Sequence, residues 1–173
     1  AVLGNRPVCG LCIIAPGLTP STSKRRDKQR TAPADNRQFV ADAFRVLQRV
    51  GPGLRETGRT SASVLATVSR LGGKFAFDRK SVNDPTCGAL AGLTKTAALE
   101  WPEVYAKAID VDDSVSVDAL AKQIADELLI ARPVEVGITA RGTKAIELVD
   151  EAMAAASRSP LAAGDVVVVS GGA

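Results

Sequence analysis

Cys9-Gly10-Leu11-Cys12 has the two-residue spacing of a redox dithiol, and it is the first point in the sequence that suggests chemistry. Redox pairs of this spacing follow a strand and open a helix, whereas this one leads into an apolar, strand-like run. Strand positions three apart also face opposite sides. A third cysteine, Cys87, makes the count odd in a chain long enough to build its own core, so reduced thiols are expected rather than a disulfide framework. The chain has no histidine, so four zinc ligands cannot be assembled from the cysteines, and no metal site is expected. The same absence removes most acid–base and nucleophile-activating designs that rely on imidazole.

Other reactive-looking groups have simpler readings. Lys95, Glu100, Glu103 and Lys107 could form an acid–base cluster, but Lys95 and Glu100 are five apart on a predicted helix and do not share a face. A solvated surface is the expectation for them, and Trp101 beside them is expected to anchor the helix end by burying apolar area. Asp113-Ser114-Val115 resembles the triplet to which carrier proteins attach phosphopantetheine; carriers are small, acidic and helical, whereas this chain has a pI near 8.9. A helix cap is the expected role. The run Lys24-Arg25-Arg26-Asp27-Lys28-Gln29-Arg30 carries charge that could meet phosphates or an acidic carrier protein, but a solvated loop is the usual meaning of such a run.

The elements that must position these groups follow from periodicity. Gly10 to Ala15 is a short apolar run closed by Pro16 and Gly17, expected to be a buried strand beginning near Val8. Residues 19–37 read as an exposed polar loop. From Gln38, apolar residues at Val40, Ala43, Phe44, Leu47 and Val50 line one helical face, and Gly51-Pro52-Gly53 is expected to end or kink that helix. Ala62 to Ser69 is a second strand, and Arg70 to Asp84 a loop. Asp84 and Pro85 then open a helix reaching Trp101, whose small interior residues, Gly88, Ala89, Ala91, Gly92, Ala97 and Ala98, suit close packing on a sheet. Val104 to Val111 is a third strand. Ser114 or Ser116 caps a third helix with Val117, Leu120, Ile124 and Leu128 on one face, and Val134 to Thr139 is a fourth strand. Val136 to Ala140 and Lys144 to Val149 can pair through Arg141-Gly142-Thr143.

Alternation of strand and helix predicts an α/β fold: a truncated Rossmann-like parallel sheet with helices on both faces and right-handed crossovers. Residues 1–149 form that unit, 150–164 read as a linker rich in Ala and Ser, and Asp165 to Ser170 is the most strand-like stretch of all, running into Gly171 and Gly172. A composition of 46% apolar and 24% charged residues suits one globular domain, and a net charge of +3 argues for neither nucleic acid nor membrane. No apolar run reaches the roughly 20 residues of a membrane span, and the amino end lacks the order of a secretory signal, so a cytoplasmic protein is expected.

A hydrophobic strand followed by paired glycines resembles the opening of the dinucleotide-binding loop of short-chain dehydrogenases, where glycines let backbone approach a pyrophosphate. Leu90 to Asp112 is similar to a stretch of synthase ketoreductases. Glu100-Trp101-Pro102-Glu103, with Leu71-Gly72-Gly73-Lys74-Phe75 upstream, looks most like the ketoreductases of polyunsaturated fatty acid synthases and iterative polyketide synthases. The resemblance spans roughly residues 62–173. It implies the first of two ketoreductase subdomains: a supporting, truncated Rossmann-like one, followed by the opening strand, residues 165–173, of the subdomain that binds NADPH and reduces a β-keto thioester on an acyl carrier protein. Ser170, Gly171 and Gly172 would then belong to the cofactor loop if the chain continues into it. The family's catalytic Tyr is followed four residues later by a Lys; here Tyr105 is followed by Ile109, so no catalytic residue is matched.

The expected role is therefore non-catalytic support, with NADPH a cofactor of the parent enzyme only and with the catalytic subdomain and acyl carrier protein as partners. The alternatives are a free-standing α/β small-ligand binder or enzyme using the crevice at the strand carboxyl ends, and a module that dimerises the synthase.

Overall fold

The computed structural model describes residues 7–16, 33–78, 87–152 and 161–171. The strand and helix order is β1 (Gly10–Ile14), α1 (Pro33–Thr60), β2 (Val64–Ser69), α2 (Gly88–Glu100), β3 (Tyr105–Val111), α3 (Val117–Glu127), β4 (Glu135–Thr139) and β5 (Gly142–Ala145). β1 to β4 are parallel neighbours in chain order, and β5 turns back antiparallel on β4, pairing Val136 with Ala145 and Thr139 with Gly142. The fold is α/β and Rossmann-like.

Side-chain alternation divides the sheet into two faces. Leu65, Thr67 and Ser69 of β2 share one face with Ala106, Ala108 and Asp110 of β3. There Leu65 joins Leu47 and Leu54 of α1 and Ala97 of α2 in one apolar cluster. A polar tether adds to it: the Thr67 and Thr94 hydroxyls lie 2.7 Å apart, and Thr94 also donates to the Leu90 carbonyl. On the opposite face Val68, Ile109, Val111, Val136 and Ile138 meet Leu120 of α3, with Ile124 and Leu128 packed beside them. With strands in sequential order, crossovers of a single hand would place every helix on one face, so one of the three connections departs from the expected right hand.

Two local expectations fail. α1 begins at Pro33, inside the stretch expected to be loop, because proline at a helix's opening position gives up no needed donor. Of the end or kink expected at Gly51-Pro52-Gly53, the end does not occur: the helix continues to Thr60. Tertiary packing overrides the local breaker: a Cβ on Gly51 would stand 2.6 Å from the Trp101 ring, and Leu54 is fully buried one turn on. Trp101 thus anchors two helices. α2 starts at Gly88, with Cys87 at the cap position making no side-chain cap, while Asp84 and Pro85 lie outside the described residues. Leu90, Ala91, Thr94 and Ala97 are its buried residues, whereas Gly92 is exposed and a Cβ added to it would find nothing within 4 Å, so Gly92 does not serve close packing. Ser116, one of the two expected caps, accepts from the Ala119 amide at the start of α3.

The expected strand at Asp165–Ser170 joins no ladder. Val166 to Val169 are all exposed, because backbone of this composition needs a partner edge and a covering layer, and neither meets it among the described residues.

Candidate functional site

In open α/β sheets the ligand crevice lies beyond the carboxyl ends of the strands. Here that region is occupied by the chain itself. β2 ends at Ser69, and the loop through Asp78 folds back over the sheet instead of leaving it. Asp110, near the end of β3 and fully buried, holds this loop: its carboxylate accepts from the Leu71 and Phe75 amides, the latter at 2.8 Å, and from the Ser69 hydroxyl at 3.3 Å. Burial raises the pKa of Asp110, against the pull of the Leu71, Phe75 and Lys74 amides and the Ser69 hydroxyl. Arg70 reaches Asp113 at 2.5 Å and clips the loop from its other side.

The loop's backbone is bent to fit. Gly72 and Gly73 have φ of 93° and 69°, and Phe75 and Ala76 also adopt the left-handed region, at 51° and 64°. Gly73 lies directly on Gly137 of β4. A Cβ on Gly137 would collide with the Gly73 carbonyl oxygen and stand 2.7 Å from its carbonyl carbon. Glycine at 137 therefore marks where another backbone approaches a strand. The carboxylate at the centre is engaged by peptide donors, so it clamps backbone rather than facing a substrate.

The residues singled out from the sequence do not converge on this site. Lys95 pairs with Glu135 at 3.2 Å, Glu103 with Arg55 at 2.6 Å, and Glu100 is exposed. The Arg55 hydrogen bond holds the Glu103 pKa below its ordinary value. Lys107 contradicts the expectation of a solvated group: it is buried, donating to Glu127 of α3 at 3.1 Å and to the Pro133 carbonyl at 2.8 Å. The missed signal is its place inside an apolar strand, where a lysine must be paired. Tyr105 is half-exposed, and Ile109, at the position of the family's lysine, lies in the core. Cys9, Cys12 and Cys87 form no disulfide, and no group of three or more metal-ligating side chains exists among the described residues. The basic run at residues 24–30 lies outside the described residues.

Ser170 and Gly171 are exposed, with Gly171 at φ 72°, and Gly172 lies outside the described residues.

One sheet face is incompletely covered. α3 lies over β3 and β4, which leaves the same face of β1 open: Cys12 and Ile14 are exposed, beside a hollow of about 320 Å³ walled by Val64, Leu128 and Leu129. Partial burial among these groups raises the Cys12 pKa. Parallel sheets are ordinarily covered on both faces. A second hollow of about 490 Å³ also lies toward the amino ends of the strands, between the end of α2 and the starts of β3 and β4.

The chain is similar to one of the subunits of the polyunsaturated fatty acid synthase of Thraustochytrium sp.. The two are 32% identical over 114 residues, which is 61% of this chain and 4% of the synthase polypeptide. This supports a relation to such synthases and does not single out their ketoreductase region. The chain spans only a small part of the relative's length. No family model matches the chain, and no solved structure matches it. No helix among the described residues is long and apolar enough to cross a membrane.

Proposed function

We propose that the chain is the structural, non-catalytic subdomain of an NADPH-dependent β-ketoacyl reductase within a polyunsaturated fatty acid or polyketide synthase. The observation that carries the reading is the closed crevice: the loop held by Asp110 lies where a doubly wound sheet would otherwise receive its ligand. Similarity to a synthase polypeptide supports the setting, and the sequence resemblance supports the reductase assignment.

In this reading residues 150–164 are a linker, residues 165–173 begin the cofactor-binding subdomain, and Ser170, Gly171 and Gly172 enter its loop. The open face of β1 around Cys12 and Ile14 is the platform on which that second subdomain rests, and the β-keto thioester arrives on an acyl carrier protein. The platform gains apolar burial without contributing a reacting group.

Alkylation of Cys12 tests the docking. The purified chain and a longer protein extending through the complete reductase region are treated with the same maleimide, and modification is read by peptide mass. Slower labelling of Cys12 in the longer protein is expected, with Cys87, which packs on the other face of the sheet, as internal reference. Equal labelling in both proteins removes the platform.

A further inference from the structure

The hollow between the end of α2 and the starts of β3 and β4, about 490 Å³, has the size of a small-ligand pocket, for which roughly 300–1,000 Å³ is usual. Its two rims come from opposite faces of the sheet. Lys95, Ala98 and Leu99 of α2 stand on the side toward which Ala106 points, whereas Tyr105 lies on the other face of β3 by strand alternation, together with Ala131 and Arg132 from the connection between α3 and β4. The short side chains of Ala98, Ala106 and Ala131 leave the space open. Large apolar groups stand at its mouth: Leu99 is 86% exposed and Tyr105 half-exposed.

The charges around the hollow select its ligand. No acidic side chain among the described residues lines it, and the nearby carboxylates are engaged: Glu135 with Lys95 at 3.2 Å, Glu103 with Arg55 at 2.6 Å and Glu127 with the buried Lys107 at 3.1 Å. Arg132 lines the hollow, is exposed and has no ion pair among the described residues. Apolar walls ending in one unmatched guanidinium suit an alkyl chain with a single anionic head, and the planar fork of arginine donors fits a carboxylate. A neutral apolar solute leaves Arg132 unmatched. A polyanion such as a nucleotide finds one further cation, Lys95, already committed to Glu135.

We infer that the hollow at the amino ends of β3 and β4 binds medium-chain monocarboxylates, the alkyl chain lying against Ala98, Leu99 and the Tyr105 ring and the carboxylate meeting Arg132. Such a site stands whether or not the chain belongs to a reductase, because its lining alone defines it.

The test uses the full chain, isotope-labelled for NMR and titrated with decanoate below its micelle concentration. Saturable shifts of the Leu99 methyls and the Tyr105 ring are expected. Each methylene withdrawn from water is worth about fourfold in affinity, so octanoate should bind at least about fivefold more weakly than decanoate. Ala98→Leu fills the hollow and should weaken decanoate binding at least about tenfold, and Arg132→Gln should weaken it about two- to fivefold, both with wild-type circular dichroism. If Ala98→Leu fails to fold, the chain-length series and Arg132→Gln still decide. Absence of saturable shifts, or affinity independent of chain length, overturns the inference. Octanol binding as tightly as octanoate, or Arg132→Gln binding decanoate like wild type, overturns the carboxylate assignment. Equal decanoate shifts at Ile14, beside the other hollow, also overturn it, because they show detergent-like adsorption. So do shifts at Leu99 and Tyr105 that grow with protein concentration and exclude decanoate, since the occupant is then a second copy.

Discussion

Adding one methyl group to each of two glycines separates close backbone packing from ordinary glycine entropy. At Gly137 the new Cβ meets the Gly73 carbonyl, its carbon 2.7 Å away, and the obstacle is backbone already bent through left-handed residues and tied to Asp110. No rotamer can relieve it, so either β4 or the loop must shift. Overpacking of this kind costs about 1–3 kcal/mol, and a rigid backbone obstacle puts Gly137→Ala near the upper end. For a domain of this length each kcal/mol moves the melting temperature by roughly 2–4 °C, so a loss of about 4–12 °C is expected. At Gly92 the same change meets open space on an exposed helix turn, and Gly92→Ala should stabilise by about 0.5–1 kcal/mol. Urea unfolding followed by circular dichroism measures both, with m-values checked for a shared mechanism. Gly137→Ala at or above wild-type stability, with m unchanged, would refute the claim that the loop backbone rests on β4.

The remaining predictions use the same assay. Asp110→Asn keeps the shape but turns one acceptor into a donor facing a peptide amide, and should cost about 1–3 kcal/mol while speeding exchange at Leu71 and Phe75. Because burial raises the Asp110 pKa, the unfolded chain loses this proton first as pH rises; the residue's contribution is full below the ordinary aspartate pKa and declines up to its raised value. The stability advantage of wild type over Asp110→Asn should therefore shrink across that window, and a growing advantage would contradict the direction. Glu127→Ala strands the buried Lys107 ammonium and should cost about 3–5 kcal/mol, much of it recovered in the Lys107→Met/Glu127→Leu double variant. Pro52→Ala removes a ring from the interior of α1 and should raise stability by about 1–3 kcal/mol.

Strands β1 to β4 and the β4–β5 hairpin were legible because apolar, β-branched runs of strand length sit between polar turns, as at Leu65 to Ser69 and Tyr105 to Val111. Helix limits were less so. Pro52 carries a strong local stop signal, and only the distant Trp101 and the burial of Leu54 explain why α1 passes through it. The clamp was hidden for a similar reason: Asp110 and Gly73 are far apart in sequence, and Gly137 looks like any strand glycine until the loop is seen lying on it. Lys107 was readable in principle, since a lysine flanked by Ala106 and Ala108 inside a strand demands a partner. Asp165 to Ser170 shows the limit of periodicity, which states what a segment can pair with but not whether a partner edge is at hand.

A sheet that supports but does not react is tested most directly by titrating the purified chain with NADPH while following the melting temperature, alongside an assay of NADPH oxidation with a β-ketoacyl thioester. An unchanged melting temperature and no oxidation above the enzyme-free rate are expected, because mass action stabilises only what binds. Saturable stabilisation by NADPH, or turnover that scales with the amount of chain, would contradict it.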